Sequence, residues 1–167
     1  NIIHRDLKPS NIFLTRGESG EEIAKVLDFG VAKVLQGSEN LSSETITEIG
    51  SICGTPDFMS PEQASDRELD QRSDVYSLTC VLYSMLTGKK LFDGNSPSEV
   101  LGKHLYHPPP MLGQSSELAF SGELERMLLK GLAKSADDRF QSMRELSSEL
   151  TKFIEGELPV YLDLERA

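Results

Sequence analysis

The opening of the chain concentrates side chains that could activate a hydroxyl group and hold a divalent cation. Asp6 lies in a charged loop, where a carboxylate can orient a hydroxyl and accept its proton. Lys8 can place a positive charge beside a phosphoryl group, whose negative charge is spread over its equatorial oxygens. Asn11 and Asp28 offer a neutral and a charged oxygen, which are hard ligands suited to magnesium. Together these four residues indicate transfer of a phosphoryl group to an alcohol.

The four residues belong to motifs that follow one another in a fixed order. The motifs are His4-Arg5-Asp6-Leu7-Lys8-Pro9-Ser10-Asn11, then Leu27-Asp28-Phe29-Gly30, then Gly54-Thr55-Pro56 ahead of Ser60-Pro61-Glu62. An isolated Asp or Asn in a loop is usually a turn former or a cap. Three ordered motifs make that interpretation much weaker and favour a catalytic one.

The spacing His-Arg-Asp-x-x-x-x-Asn at residues 4–11 resembles the catalytic loop of eukaryotic-type (Hanks-type) protein kinases. The resemblance continues through Asp28-Phe29-Gly30 and a Ser-Pro-Glu variant of the family's Ala-Pro-Glu motif, and it covers residue 1 to about Phe153. The sequence of these motifs looks most similar to that of bacterial serine/threonine kinases. The resemblance implies a signalling enzyme that uses ATP and Mg²⁺ and transfers the γ-phosphate to Ser and Thr hydroxyls of protein substrates.

The resemblance also implies a role for each matching residue. Asp6 is the base, Asn11 and Asp28 hold the metal, and Lys8 contacts the transferring group of the nucleotide. Thr55 resembles the family Thr that hydrogen-bonds Asp6 and Lys8, which points to Ser/Thr and not Tyr substrates. Phe13 is expected beneath the adenine ring, although a core strand explains that residue nearly as well.

Other matching residues are expected to be structural. His4 and Phe29 would pack under the catalytic loop, and Asp74 would hold the backbone of that loop. A buried carboxylate at that position needs such donors. Glu62 and Arg139 match a buried ion pair of the family, so that their removal should chiefly affect folding.

Regulation is expected in the segment between Gly30 and Ser60. Arg5 can pair with a phosphate on that segment and order it. The candidate phosphate acceptors are Thr45, Thr47 and Ser51, with Ser42 and Ser43 behind them. The alternative is that most of these residues only solvate a loop.

The pattern of apolar residues predicts a mainly α fold with short β-hairpins, in the α+β class. The runs 11–14 and 24–27 should pair as a hairpin, and residues 37–50 form a polar loop. Ser60, Ser96 and Ser142 carry helix-start signals. A buried helix is predicted from about Arg72 to Leu86, with Leu78, Val81, Leu82 and Met85 on one apolar face and a stop at Gly88. A further amphipathic helix carries Leu124, Met127, Leu128 and Leu132, and the last carries Met143, Leu146, Leu150 and Phe153 inward.

The composition limits the classes of partner. The 167 residues are 38% hydrophobic and 26% charged, with a net charge of −10, which argues against binding to nucleic acid or to an anionic membrane. No apolar run is long enough to span a bilayer. Two cysteines in dissimilar contexts, and the lone pair His104 and His107, are insufficient for a metal cluster. We therefore expect a cytoplasmic location, with any membrane anchor of the parent protein outside this chain.

A Gly-rich phosphate loop, an upstream strand Lys and its helix Glu are not found in the sequence. Residues 1–155 are therefore interpreted as a partial kinase catalytic domain, the C-lobe, with the N-lobe missing, and residues 156–167 as a linker or the start of a further region. This fragment alone should be inactive without an N-lobe in cis. The alternative is a pseudokinase or isolated lobe that serves as a binding or regulatory module. The four intact residues Asp6, Lys8, Asn11 and Asp28 favour the enzyme.

Overall fold

The computed structural model describes residues 2–28, 56–115 and 120–161. Within these ranges, two strands precede a set of helices. The strands are β1 (Ile12–Arg16) and β2 (Glu22–Val26), and the helices are α1 (Pro61–Ala64), α2 (Gln71–Thr87), α3 (Pro97–Tyr106), α4 (Leu112–Ser115), α5 (Gly122–Gly131) and α6 (Met143–Tyr161). Three short 3₁₀ turns lie at Pro9–Asn11, Pro56–Phe58 and Ala136–Asp138. The described part of the chain is mainly helical with one hairpin, as the sequence predicts.

The two strands form the predicted antiparallel hairpin. Ile12 pairs with Val26 and Arg16 pairs with Glu22. The connecting turn is closed by the Gly17 N–H, which donates to the Glu21 carbonyl at 2.8 Å. Every residue of β2 is exposed, so the hairpin contributes little to the core. Its role is to place the residues at its two ends, beside the 3₁₀ turn and Leu27.

Helix α2 is the centre of the core and extends one residue beyond each predicted end. Asp70 caps it by accepting a hydrogen bond from the Arg72 N–H, and Gly88 ends it in the left-handed conformation at φ 67°. Tyr76, Cys80 and Tyr83 are buried and pack in a cluster with residues of the later helices, among them Leu91, Phe92, Leu112, Leu124, Leu128, Leu132 and Phe153. Each such side chain contributes about 1.5–3 kcal/mol when it is buried. The helix is therefore buried over most of its length.

The predicted apolar face of α2 was wrong at Met85. Leu78 and Leu82 are partly buried against the core, but the Met85 side chain is 74% exposed. Leu86, one residue nearer the end of the helix, still packs against the core, so the exposure of Met85 depends on which side of the helix the neighbouring elements cover. The period of a helix that is apolar all round does not indicate where the cover stops.

Serine caps set the starts of the helices. Ser60 and Gln63 form a reciprocal capping box on α1, and Ser96 accepts from the Glu99 N–H at the start of α3. Ser142 accepts from the Glu145 N–H at 3.1 Å before α6. These three predicted starts are confirmed, and Ser121 caps α5 in the same way.

The last helix, α6, continues to Tyr161. The predicted boundary at residue 155 falls inside this helix, so no break in secondary structure marks it. Across the described ranges, we find no helix whose length and apolar character would let it cross a bilayer.

Candidate active site

The catalytic-loop candidates Asp6, Lys8 and Asn11 lie together. The Lys8 ammonium is 2.8 Å from Asp6 Oδ2. The Asn11 side-chain amide donates to the Asp6 carbonyl at 2.9 Å and to Asp6 Oδ2 at 3.2 Å. The side chains of Asp6 and Lys8 are each 24% exposed, whereas Asn11 is buried. The carboxylate of Asp6 and the ammonium of Lys8 are therefore both partly accessible to solvent, and the buried Asn11 side chain fixes the loop beneath them.

Asp74 binds the backbone of this loop from the first turn of α2. Its Oδ2 accepts from the His4 N–H at 2.7 Å, and its Oδ1 accepts from the Arg5 N–H at 2.9 Å. Asp74 is buried, so its charge is stabilised by these two donors, as a buried carboxylate requires. Arg5 has φ 67°, a conformation that non-glycine residues seldom adopt.

The His4 ring is buried under the loop, in the position expected of a packing residue. The Asp6 N–H donates to His4 Nδ1 at 3.3 Å, and His4 Nε2 lies 3.0 Å from the Leu27 carbonyl. Since Nδ1 is an acceptor in this arrangement, Nε2 carries the proton and donates to Leu27. Both ring nitrogens are thereby used in holding the loop against the end of β2.

Asp28 directly follows Leu27, the residue that links the end of the hairpin to the loop by a backbone hydrogen bond. The Leu27 N–H donates to the Asn11 carbonyl at 2.9 Å, and Asp28 comes next, exposed and at φ 58°. The Asn11 amide nitrogen is directed to Asp6, so its Oδ1 is the atom suited to a cation. An amide oxygen and a carboxylate are hard donors that fit Mg²⁺, which usually completes its shell with phosphate oxygens and water.

Phe13 is on the exposed face of β1. Its side chain is 51% exposed, so the alternative that Phe13 is part of a core strand is wrong. The ring is accessible at the hairpin, and its expected place beneath an adenine remains a prediction.

Glu62 and Arg139 form a bidentate ion pair in which the Arg139 side chain is fully buried and the Glu62 side chain is 12% exposed. The two guanidinium nitrogens lie 2.7 and 2.8 Å from the two carboxylate oxygens. Arg139 also donates to the carbonyls of Ala133, Arg72 and Lys134, and Ser73 donates to Glu62 at 2.7 Å. Burial alone would raise the pKa of Glu62, but the hydrogen bond and charge of Arg139, together with Ser73, bring that pKa below its usual value.

One loop contact was not anticipated from the sequence. Gln63, three residues after the helix-start residue Ser60, donates from Nε2 to the Arg5 carbonyl at 2.8 Å. The two residues are 58 positions apart, and no local pattern signals such a contact. A second unanticipated contact joins buried Asp57 to Lys90, whose ammonium lies 3.0 Å from the Asp57 carboxylate.

The two histidines of the His-x-x-His pair lie in different environments. His104 is buried, and its Nδ1 lies 2.9 Å from the Tyr76 hydroxyl, whereas His107 is exposed. Burial, and then the charge of Lys134, lowers the pKa of His104 to about 4. His104 is therefore a neutral packing residue. No group of three or more His, Cys, Asp or Glu side chains is arranged to hold a metal within the described ranges.

Several predicted residues lie outside the described residues. They are Phe29, Thr55 and the regulatory candidates Thr45, Thr47 and Ser51, with Ser42 and Ser43. Arg5, the proposed partner of a phosphate, is described and partly buried.

Comparison with known proteins gives one consistent family. Residues 1–160 match the family model described as protein kinase domain. The serine/threonine-protein kinase PknB of Mycolicibacterium smegmatis is 39% identical over 170 residues, covering 99% of this chain and 26% of its own length. PknB of Mycobacterium tuberculosis H37Ra is 40% identical over 169 residues, with the same two coverages, 99% and 26%. Pkn3 of Myxococcus xanthus is 39% identical over 150 residues, covering 89% of this chain and 27% of its own length.

Solved structures show the same fold. The crystal structure of a double mutant of the M. tuberculosis PknI kinase domain superposes with a TM-score of 0.58 at 23% identity, covering 90% of this chain and 45% of that one. The chain spans about a quarter of the length of the curated relatives it matches.

Proposed function

Because the chain belongs to the protein kinase family, we propose that residues 1–155 are the C-lobe of a serine/threonine kinase. The reaction proposed is transfer of the ATP γ-phosphate to Ser and Thr hydroxyls of protein substrates. The observation that carries this proposal is the cluster of Asp6, Lys8 and Asn11, joined by contacts of 2.8–3.2 Å. Residues 156–167 would lead out of the lobe.

Asp6 is proposed as the base. Its carboxylate is partly exposed, so that a substrate hydroxyl could approach it, and its backbone is fixed through His4 and Arg5. A fixed carboxylate within hydrogen-bond reach aligns the hydroxyl and accepts its proton during transfer. Lys8, 2.8 Å from Asp6, would stabilise charge on the transferring group. Thr55 would hydrogen-bond both residues and favour Ser/Thr substrates.

Asn11 and Asp28 are proposed to hold Mg²⁺. When bound, the ion would neutralise charge on the phosphates of ATP. The buried Asn11 amide is held by Asp6 through its nitrogen. The backbone hydrogen bond from the Leu27 N–H to the Asn11 carbonyl, at 2.9 Å, supports the proposal because Leu27 directly precedes Asp28. The arrangement is supported by the chemistry of these two oxygen donors.

The remaining parts of the proposal concern the whole protein. An N-lobe in cis would supply the other contacts to ATP, and Phe13 would face the adenine ring. Arg5 would bind a phosphate on Thr45, Thr47 or Ser51. We also propose a cytoplasmic location. The net charge of −10 argues against nucleic-acid partners.

A chimera tests the proposed reaction. The N-lobe of M. smegmatis PknB would be joined to this chain, and phosphate transfer from labelled ATP to a generic Ser/Thr-rich protein would be measured. We expect turnover on the order of 1–100 s⁻¹, lowered about 10²–10⁴-fold by Asp6→Asn. Asp28→Asn should also abolish most activity, whereas Asp138→Asn, at an exposed residue of a 3₁₀ turn, should have no effect.

Two results would count against the enzyme. Turnover that survives both Asp6→Ala and Asp28→Ala would contradict the assigned roles. A chimera that binds ATP without transferring phosphate would favour the alternative, a pseudokinase or a lobe with a binding or regulatory role. The 167-residue chain alone should bind ATP poorly, and micromolar affinity measured by calorimetry would contradict the need for an N-lobe.

A further inference from the structure

The side-chain amide of Gln63 makes two hydrogen bonds that fix its orientation. Oε1 accepts from the Ser60 N–H at 3.0 Å, and Nε2 donates to the Arg5 carbonyl at 2.8 Å. Rotating the amide by 180° would set nitrogen against an N–H and oxygen against a carbonyl, so only one orientation satisfies both partners. The amide therefore links the start of α1 to the residue that precedes Asp6.

The linked residue is the strained one in the loop. Arg5 is at φ 67°, and a non-glycine residue keeps such a conformation only when its surroundings hold it there. Its N–H is bound by Asp74. The next peptide plane is held at its oxygen by Gln63 and at its nitrogen by the His4 ring. That plane carries the backbone from Arg5 into Asp6, so its tilt sets the direction of the Asp6 side chain.

We propose that Gln63 is a positioning residue for phosphoryl transfer, acting through the Arg5–Asp6 peptide. The inference rests on the proposed function, in which Asp6 is the base. Gln63 lines the same small cavity as Asp6 and Lys8, but it acts on the backbone and not on substrate. Ser60 and Gln63 also form the capping box of α1, so the Gln63 side chain contributes to both the helix start and the loop, and the two contributions must be separated.

Two variants separate the loop contact from the helix cap. Gln63→Glu keeps an oxygen for the Ser60 N–H, since Ser-x-x-Glu is also a capping box. It replaces the donor to Arg5 by an oxygen, which faces the Arg5 carbonyl and repels it. Ser60→Ala is the matched control, because it removes the hydroxyl that accepts from the Gln63 N–H at 3.4 Å and leaves the amide bound to Arg5.

Hydrogen exchange on the 167-residue chain tests the contact without any need for activity. At pH 7.5, Gln63→Glu should lower the protection of the His4 and Arg5 amides about tenfold, the size expected for one lost hydrogen bond. The amides of Cys80 and Val81 in α2 report global unfolding and should change less. Ser60→Ala should lower thermal stability through the weakened cap while leaving the protection of His4 and Arg5, relative to α2, unchanged.

Single-turnover rates in the chimera test the link to catalysis. Gln63→Glu should slow transfer about tenfold with an unchanged KM for ATP, and Ser60→Ala should not slow it. The proposal would be overturned if Gln63→Glu and Ser60→Ala had the same loop protection and the same transfer rate. It would also be overturned if Gln63→Glu lowered the protection of the loop amides but left the transfer rate unchanged. If the wild-type chimera transfers no phosphate but the exchange results are as expected, the proposed function fails while the loop contact stands.

Discussion

Removal of Glu62 should destabilise the chain more than any surface charge change. Glu62→Ala leaves the Arg139 guanidinium, whose side chain is fully buried, without its anion. Breaking a buried pair in this way costs about 3–5 kcal/mol. Arg139 keeps three carbonyl acceptors, on Ala133, Arg72 and Lys134, so we expect about 3 kcal/mol. For a chain of this size that lowers the melting temperature by about 6–12 °C.

Urea denaturation followed by circular dichroism measures this free energy directly. The matched control is Lys152→Ala, which breaks an exposed Lys152–Glu149 pair on α6 and should leave the midpoint unchanged. Arg139→Met should destabilise at least as much as Glu62→Ala, because it leaves Glu62 without its cation and three partly buried carbonyls without their donor. A Glu62→Ala midpoint equal to that of Lys152→Ala would refute the argument that this pair holds the core.

The pair also makes a pH prediction whose sign follows from the lowered pKa of Glu62. A carboxyl group whose pKa is lower in the folded state stabilises the fold fully above its unfolded pKa. That stabilisation is lost as the pH falls through the folded value. The stability difference between wild type and Glu62→Gln should therefore be constant near neutral pH and shrink below the ordinary value of 4.5. A difference that grows on acidification would contradict the assignment.

Four further substitutions test other positions in the fold by the same denaturation assay. Asp74→Asn turns an NH₂ group toward one of the two loop amides and should lower the free energy of unfolding by about 2 kcal/mol. An unchanged midpoint would count against a stabilising role for these two hydrogen bonds. Gly131→Ala puts a Cβ against a buried Thr side chain of α2 and should destabilise by about 1–3 kcal/mol, whereas Gly102→Ala in α3 meets no atom and should stabilise by up to about 1 kcal/mol. If both alanine variants changed the free energy of unfolding in the same direction, the difference in packing between the two glycines would be contradicted. Tyr76→Phe removes the partner of His104 Nδ1 and should cost about 1–3 kcal/mol, and a loss below about 0.5 kcal/mol would be too small for that bond.

The parts of the fold that the sequence predicted are set by neighbours along the chain. The hairpin follows from two apolar runs around a Gly-rich turn, and the Ser60, Ser96 and Ser142 caps need only residues three positions away. The loop contact between Asp6 and Asn11 is also local. Short-range chemistry of this kind is visible in the order of residues.

Contacts between segments that are distant in the sequence could not be predicted from the order of residues. Gln63 meets Arg5 across 58 positions, and buried Asp57 meets Lys90. Met85 repeats the period of the core yet is exposed, although Leu86 beside it packs against the core. These outcomes depend on how the helices pack, and a pattern of single residues does not encode that packing. The expected places of Asp74 and of the Glu62–Arg139 pair came from family resemblance and not from periodicity.

The catalytic loop is held largely through its backbone, by residues outside it. Asp74 on α2 binds two of its amides, Gln63 on α1 binds a carbonyl, and Leu27 after β2 binds both the Asn11 carbonyl and the His4 ring. These contacts are made to backbone atoms and to the His4 ring, and not to the side chains of Asp6 and Lys8, which lie 2.8 Å from each other. A chain with all of the loop's own residues intact could still lose the reaction by losing one of these holders. An active kinase and an inactive relative can therefore differ in these supporting residues as well as in the motif. In this chain Asp74, Gln63 and Leu27 all make the contacts that hold the loop.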